Sequence, residues 1–402
     1  MVFKKTYFSI LNLLPLIVYT LMFIGIFLFK IGMFTSYFSV TFLIMLFLTL
    51  LFFISLKNFS INLRYLLSIL IFFSLIFLQL DVYIYTAKLD SNLILRNFFT
   101  SVALLFLLGF IVPFLYHNFA KIRETIFNLY IKAITYFLIF IGYVSWIFQK
   151  IGLLSGKSLL IFPEPSHYGI VIIPLILYLT RLYNSYWFVA NLYLLSILLL
   201  NVTMLVGSII ISFLHIKIKN FFPLFILLTL IIFNLPEDYL LYFYDRLKLN
   251  TESNIANLST LVYLSGWERA YLTLTEYSIL GVGFNLIGFI GPQGYYQWIL
   301  ENLGYGALNL HDGGTLGAKL ISELGYIGLL LIILYIYFLI KIISNFKNIK
   351  STRNLFFMSY YISLSVEMFI RGVGYFSPNI IFYALSIYSL FFMKKYNYGE
   401  RK

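Results

Sequence analysis

Cysteine is absent from the 402 residues, which excludes thiolate metal sites, thiol nucleophiles and disulfide frameworks. Charge is scarce: Asp, Glu, Lys and Arg form 11% of the chain, where a soluble domain carries about 25%. A water-facing surface cannot be assembled from so little. Proline is limited to 9 residues and no polar low-complexity tract occurs, so collagen-like and disordered classes fall away too. What fills the chain is apolar, with 61% hydrophobic residues, 44 Phe and 34 Tyr, and a mean hydropathy of +0.94. A membrane-embedded chain is the class that remains.

Apolar runs of spanning length lie near 8–30, 36–56, 62–84, 96–116, 127–148 and 167–183. Others follow near 186–200, 202–216, 220–235, 313–340, 354–371 and 378–393. They predict an all-α polytopic membrane protein of about twelve spans, one domain over 1–402. The run 186–216 is divided at Asn201-Val202-Thr203 because charge bias requires it. With twelve spans and both termini cytoplasmic, Lys4, Lys5, Lys57, Lys121, Arg123, Arg181, Lys347, Arg353 and Lys394 fall inside, where the only acids are Glu124 and Glu400. Merging the run would invert everything upstream and lose that asymmetry. The net charge of +13 is then a topology signal, and no nucleic-acid partner is expected. The first span lacks a small-residue cleavage site and reads as a retained helix. Lys132 and Asp81, near span ends, read as snorkelling residues.

One connection is long, an outer loop over 236–312, and a loop of that length is expected to carry function. It holds Arg246 among several acids, then Leu261–Tyr277, which reads as a short helix with Leu264, Trp267, Tyr271 and Leu274 on one face and Arg269, Thr273 and Glu276 on another. Gly281-Val282-Gly283 is the expected stop.

Three outward constellations carry chemistry. Phe162-Pro163-Glu164-Pro165-Ser166-His167 holds Glu164 and His167 on a backbone made extended by two prolines, with Ser166 placed to cap the following helix; its plain alternative is a helix start with a solvated acid. His311, Thr315, Lys319 and Glu323 step by four, so they read as one stripe down the tenth span beside Asp312. Ionisable groups within a bilayer usually face a cavity, although an i,i+4 Lys–Glu pair can simply glue helices. Glu367 and Arg371 close the eleventh span, either as a snorkelling pair or as part of a site.

Guanidinium forks suit phosphate oxygens, the aromatic stretch with Tyr295 and Trp298 suits sugar faces, and a carboxylate or imidazole can take a proton from a hydroxyl. This combination points to sugar transfer from a lipid diphosphate.

The chain resembles the O-antigen polymerase and O-antigen ligase superfamily of bacterial membrane glycosyltransferases, the Wzy-type polymerases in particular. The resemblance rests on the large outer loop before the tenth span, on Pro163–His167, on Gly266-Trp267-Glu268-Arg269 running to Gly281-Val282-Gly283-Phe284, and on His311-Asp312-Gly313 leading to Ser322-Glu323-Leu324-Gly325. His311-Asp312 stands where ligases carry His-Asn, and no arginine occupies the Asn201–Met204 turn. The resemblance implies a GT-C-like polymerase of O-antigen or capsular repeat units in the bacterial cytoplasmic membrane. Its substrate would be undecaprenyl-diphosphate-linked oligosaccharide within membrane lipid, its companions a flippase and a chain-length regulator. The family works without a metal ion or other cofactor, and no DxD motif occurs here.

On that reading Arg269, Arg371 and Arg246 take the diphosphate, while His311, with Glu164 and Asp312 behind it, is the general base. His167, Lys319, Glu323, Trp267 and Tyr295 line the cavity. A ligase shares the fold and the arginines; a lipid-linked oligosaccharide transporter or flippase is the reading from another class.

Overall fold

The fold is taken from a computed structural model that describes residues 13–55, 62–87, 92–154, 157–215, 237–247 and 257–392. Among the described residues no β-strand forms. The helices are α1 (Leu14–Lys30), α2 (Tyr37–Ser55), α3 (Leu63–Ala87), α4 (Asn92–Lys121), α5 (Glu124–Lys150), α6 (Pro165–Tyr183), α7 (Trp187–Leu198) and α8 (Val202–His215). Then come α9 (Glu237–Leu247), α10 (Leu258–Leu272), α11 (Tyr295–Asn302), α12 (Leu316–Leu324), α13 (Tyr326–Asn345), α14 (Thr352–Phe369) and α15 (Ile380–Phe392).

Among the described residues, five helical stretches are long and apolar enough to cross a membrane: Leu63–Leu80, Leu95–Lys121, Glu124–Lys150, Pro165–Tyr183 and Tyr326–Asn348. α1, α2, α7, α8 and α15 are apolar but shorter. The predicted ninth span, 220–235, lies outside the described residues, as does the start of the first.

Exposure patterns distinguish centre from rim. α6 is buried without interruption from Pro165 to Thr180, and α14 nearly so from Leu355 to Met368; the two pack along each other at the centre. Peripheral helices instead turn large apolar side chains outward, such as Ile71 and Leu78 of α3, Phe140 of α5 and Ile340 of α13. Helices apolar on their exposed faces are solvated by lipid, not water.

α6 and α14 run antiparallel, because their opposite ends are cross-braced. At one end Arg371, just past α14, meets Glu164, just before α6. At the other, Arg181 donates to the Lys347 carbonyl and Arg353 to that of Ile122. Those bonds gather Lys121, Arg123, Arg181, Lys347 and Arg353 at the far end. The 19 residues of α6 separate the ends by about 28 Å.

α7 and α8 form a hairpin, so the run 186–216 is two helices. Asn201 caps α8, its Oδ1 accepting from Met204 N at 2.8 Å, and Leu200 takes φ +49°, a left-handed conformation costly for a branched side chain. The tip meets α6 at Gly169, where a Cβ would lie 2.7 Å from Met204 Cγ and 3.5 Å from Asn201 Oδ1. Only a glycine lets the helices approach that closely. Gly169 lies about one helical turn below Glu164, so the hairpin stops short of the end of α6.

The predicted tenth span requires correction. Residues 313–340 are not one helix. α12 ends at Leu324 and α13 begins at Tyr326, with Gly325 between them at φ +58°. A side chain at 325 would collide with the Ile279 carbonyl. The stripe from His311 to Glu323 therefore breaks as well: Thr315 is the N-cap of α12, accepting from Ala318 N, and His311 precedes the helix.

Candidate active site

Glu164 has an extended backbone, with Pro165 opening α6 behind it. Its carboxylate does not cap the helix. Ser166 does not cap it either: Ser166 Oγ donates to Glu164 Oε2 at 3.0 Å, and Arg371 Nη2 lies 3.4 Å from the same oxygen. Burial pushes the Glu164 carboxyl up, but His167, Arg371 and the Ser166 hydroxyl outweigh it and hold it below the ordinary range. His167 is buried, its ring edge-on to Tyr37 at 5.0 Å and its Nδ1 without a partner. Arg371 is not paired with Glu367, which accepts instead from Tyr383 Oη at 2.6 Å inside the bundle. Gly372 N bonds Gly314 O at 3.0 Å, laying the arginine segment across the turn that precedes α12.

Two chambers meet at the Glu164–Arg371 pair, which lines both. The first, of about 330 Å³, adds Lys157 and Arg246 to Arg371 above an apolar wall that includes Leu200, Val206, Val262 and Ile370. Here Lys157 Nζ and the Arg246 guanidinium lie 5.2 and 4.6 Å from the centroid of the Tyr242 ring, a shared cation–π platform. Burial, then Arg246, push the Lys157 ammonium down, while Glu164 opposes them. Arg246 Nε is buried with no partner, and an unsatisfied buried donor calls for an acceptor. Three cations face one carboxylate, so the chamber suits an anion attached to an apolar body.

The second chamber, of about 590 Å³, is the more polar of the two, although aromatic side chains such as Phe38 and Phe376 share its wall. His167, His311, Asp312 and Lys319 line it together with amides and hydroxyls such as Asn97, Ser101 and Asn285. Such a wall suits a polyhydroxylated molecule. His311 is exposed on the rim, its Nδ1 3.1 Å from Ile287 O and its ring 4.5 Å from that of Phe289. Because a carbonyl only accepts, Nδ1 carries a proton, and in the neutral ring Nε2 is the nitrogen with the lone pair.

Arg269 lines neither chamber. It is 5% exposed and donates from Nη1 to Leu310 O at 3.1 Å; burial lowers its affinity for the proton while Glu323 and Glu301 raise it. The face of α10 that is buried carries Leu261, Val262, Ser265, Gly266, Arg269 and Ala270, not the predicted stripe, for Tyr271 is exposed. Gly266 explains the choice, since a side chain there would collide with the Gly313 carbonyl. After α10 the chain makes a π turn over Thr273–Tyr277, so the helix stops before Gly281. Trp267 packs against the core, and Tyr295 is exposed, stacked 6.1 Å from Trp298. Neither lines these chambers, and Glu323 stands behind Lys319, 2.9 Å from its Nζ.

Sequence reasoning overlooked Lys157, Tyr242 and Tyr37, which no short motif marks. Among the described residues no three His, Asp or Glu side chains converge as a metal-binding group. Comparison with protein-family models, with curated proteins and with solved structures finds no match to this chain.

Proposed function

We propose that the protein is a membrane glycosyltransferase polymerising lipid-linked oligosaccharide repeat units of O-antigen or capsule type. It transfers the growing glycan from undecaprenyl diphosphate to a new repeat unit at the outer face of the bacterial cytoplasmic membrane. The observation that carries this reading is the meeting of a cationic, apolar-walled chamber with a polar one at Glu164 and Arg371.

Arg371, Arg246 and Lys157 take the donor diphosphate, while its isoprenoid follows the apolar wall. The acceptor sugar occupies the polar chamber. Its hydroxyl attacks the anomeric carbon of the donor; the bond from that carbon to the diphosphate oxygen breaks, and the electron pair leaves with undecaprenyl diphosphate. The hydroxyl proton passes to His311 Nε2, with Glu164 and Asp312, which line the same chamber, behind it. Guanidinium groups stabilise the charge that develops on the leaving group. Twelve spans with cytoplasmic termini in a GT-C-like arrangement suit this chemistry, because Lys121, Arg123, Arg181, Lys347 and Arg353 gather at the end opposite the chambers.

The test is reconstitution in vesicles with a polyprenyl-diphosphate-linked repeat unit as the only substrate. A ladder of lengthened lipid-linked glycans is expected. Transfer only to an added second acceptor indicates a ligase, and transbilayer movement without new glycosidic bonds indicates a flippase; either overturns the proposal.

A further inference from the structure

Three buried ionic side chains take no part in the step just described. Arg269, Lys319 and Glu323 are exposed by 5, 2 and 0%, and burying such charges is unfavourable unless each is well partnered. Apart from the Lys319–Glu323 pair itself and the Tyr375 ring beside the ammonium, their partners share one feature: they belong to the backbone around His311 and the loop it bonds.

Arg269 Nη1 donates to the carbonyl of Leu310 at 3.1 Å. Lys319 Nζ donates to the carbonyl of His311 itself at 2.5 Å. Two successive carbonyls leading into and through position 311 are thus held by two different cations from two helices, α10 and α12. Glu323 completes the set. Its Oε1 lies 2.9 Å from Lys319 Nζ, and its carboxylate accepts from Asn285 N at 2.8 Å and Ile287 N at 3.4 Å. Ile287 is the residue whose carbonyl holds His311 Nδ1 at 3.1 Å. The next residue, Gly288, has φ +88°, and a Cβ there would lie 2.5 Å from Nδ1, so the loop passes the ring edge with no room for a side chain.

We infer that Arg269, Lys319 and Glu323 are positioning residues that fix the tautomer and direction of the His311 ring. The cations hold the main chain from which the ring projects. The carboxylate holds the strand of loop that receives Nδ1–H. With both ends of the imidazole's attachment fixed, Nε2 is the nitrogen left to accept a proton. This assigns Arg269 to the support of the base, away from the diphosphate. The inference rests on His311 being the proton acceptor in the transfer proposed above.

Glu323→Gln is the informative change, since Asn285 N and Ile287 N bond different oxygens of the carboxylate and glutamine replaces one of those oxygens with an amide nitrogen that only donates. Arg269→Lys keeps the charge and loses the fork. Initial rates on a synthetic polyprenyl-diphosphate-linked oligosaccharide are measured for both variants, in the wild-type and in the His311→Ala background. Each substitution is expected to lower kcat about 10–100-fold, with KM for the donor within about twofold. In the His311→Ala background each changes the residual rate by less than about twofold, because interactions that act through one residue are not additive. Equal fold losses in both backgrounds overturn the inference and leave a plain packing role. Wild-type rate from His311→Ala is a different failure, removing the proton-acceptor reading itself.

Should Glu323→Gln not accumulate in the membrane, the ¹⁵N spectrum of histidine-labelled Arg269→Lys decides. The His311 signals are assigned by their loss in His311→Asn. A shift from pure Nδ1–H to mixed tautomers supports the inference; an unchanged tautomer in a slowed enzyme overturns it.

Discussion

Two ion pairs near the same end of the bundle illustrate opposite uses of charge. Lys319 and Glu323 lie 2.9 Å apart at 2% and 0% exposure, and the further hydrogen bonds of their side chains are to backbone, with the Tyr375 ring 5.0 Å from the ammonium. Arg371 and Glu164 lie 3.4 Å apart at 21% and 50% exposure and border open space on both sides. The first pair is saturated and can hold structure only. The second is loosely made, of a kind worth about 0–1 kcal/mol, and each partner keeps capacity for something else. On the proposed function, the charge that does chemistry is the charge left under-satisfied.

That contrast can be broken most forcefully at Lys319. Lys319→Met strands Glu323 as an unpaired buried carboxylate, and a loss of about 3–5 kcal/mol of stability is expected, read as collapse of the melting temperature in detergent. Unchanged melting would show that the pair is not structural. Arg371→Ala should do the reverse: stability within about 1 kcal/mol of wild type, but glycan transfer slower by about 10²–10³-fold. A variant that transfers normally would take Arg371 out of the mechanism. Lys157→Met should be milder, raising KM for the lipid donor about tenfold, the worth of one charge-assisted hydrogen bond, with kcat little changed; a steady-state titration of donor distinguishes this from a defect in the chemical step.

Smallest of all is the pH effect at Glu164. Its carboxyl is held below the ordinary range, so whatever its pairing contributes is present above the unfolded value of about 4.3 and is lost as pH falls through the lower folded value. Melting curves of wild type and Glu164→Gln should therefore keep a constant offset between about pH 6 and 8 and converge in stronger acid. Convergence near neutrality would mean that Arg371 and His167 do not hold the carboxylate as the geometry indicates.

The readable parts of the sequence were those whose cause is local. Two prolines around Glu164 dictate an extended segment wherever they occur, and a Lys–Glu step of four meets on any helix; both pairings of constraint and outcome appear at 163–167 and 319–323. Hydropathy could not reveal the break at Gly325, because apolar residues continue on both sides of it and the cause is a collision with Ile279 from another segment. The buried face of α10 was not legible for a related reason: periodicity weighs side chains, whereas the deciding feature is Gly266, which has none. Lys157 was invisible because it is recruited by Tyr242, a residue far along the chain. Arg269 lies on the expected helix, but its bond to the Leu310 carbonyl could not be read, since a guanidinium that bonds a carbonyl and one that awaits a phosphate look alike in sequence.

The hairpin of α7 and α8 works as a ruler. Because its tip rests on Gly169, the floor of the cationic chamber is set by how many residues the two short helices contain. Adding one turn to each, about four residues, would raise Leu200 and Asn201 to the level of Glu164 and erase the chamber without touching a single charged side chain. The depth of the chamber, and with it how much water it holds above the apolar wall, is thus encoded in a length.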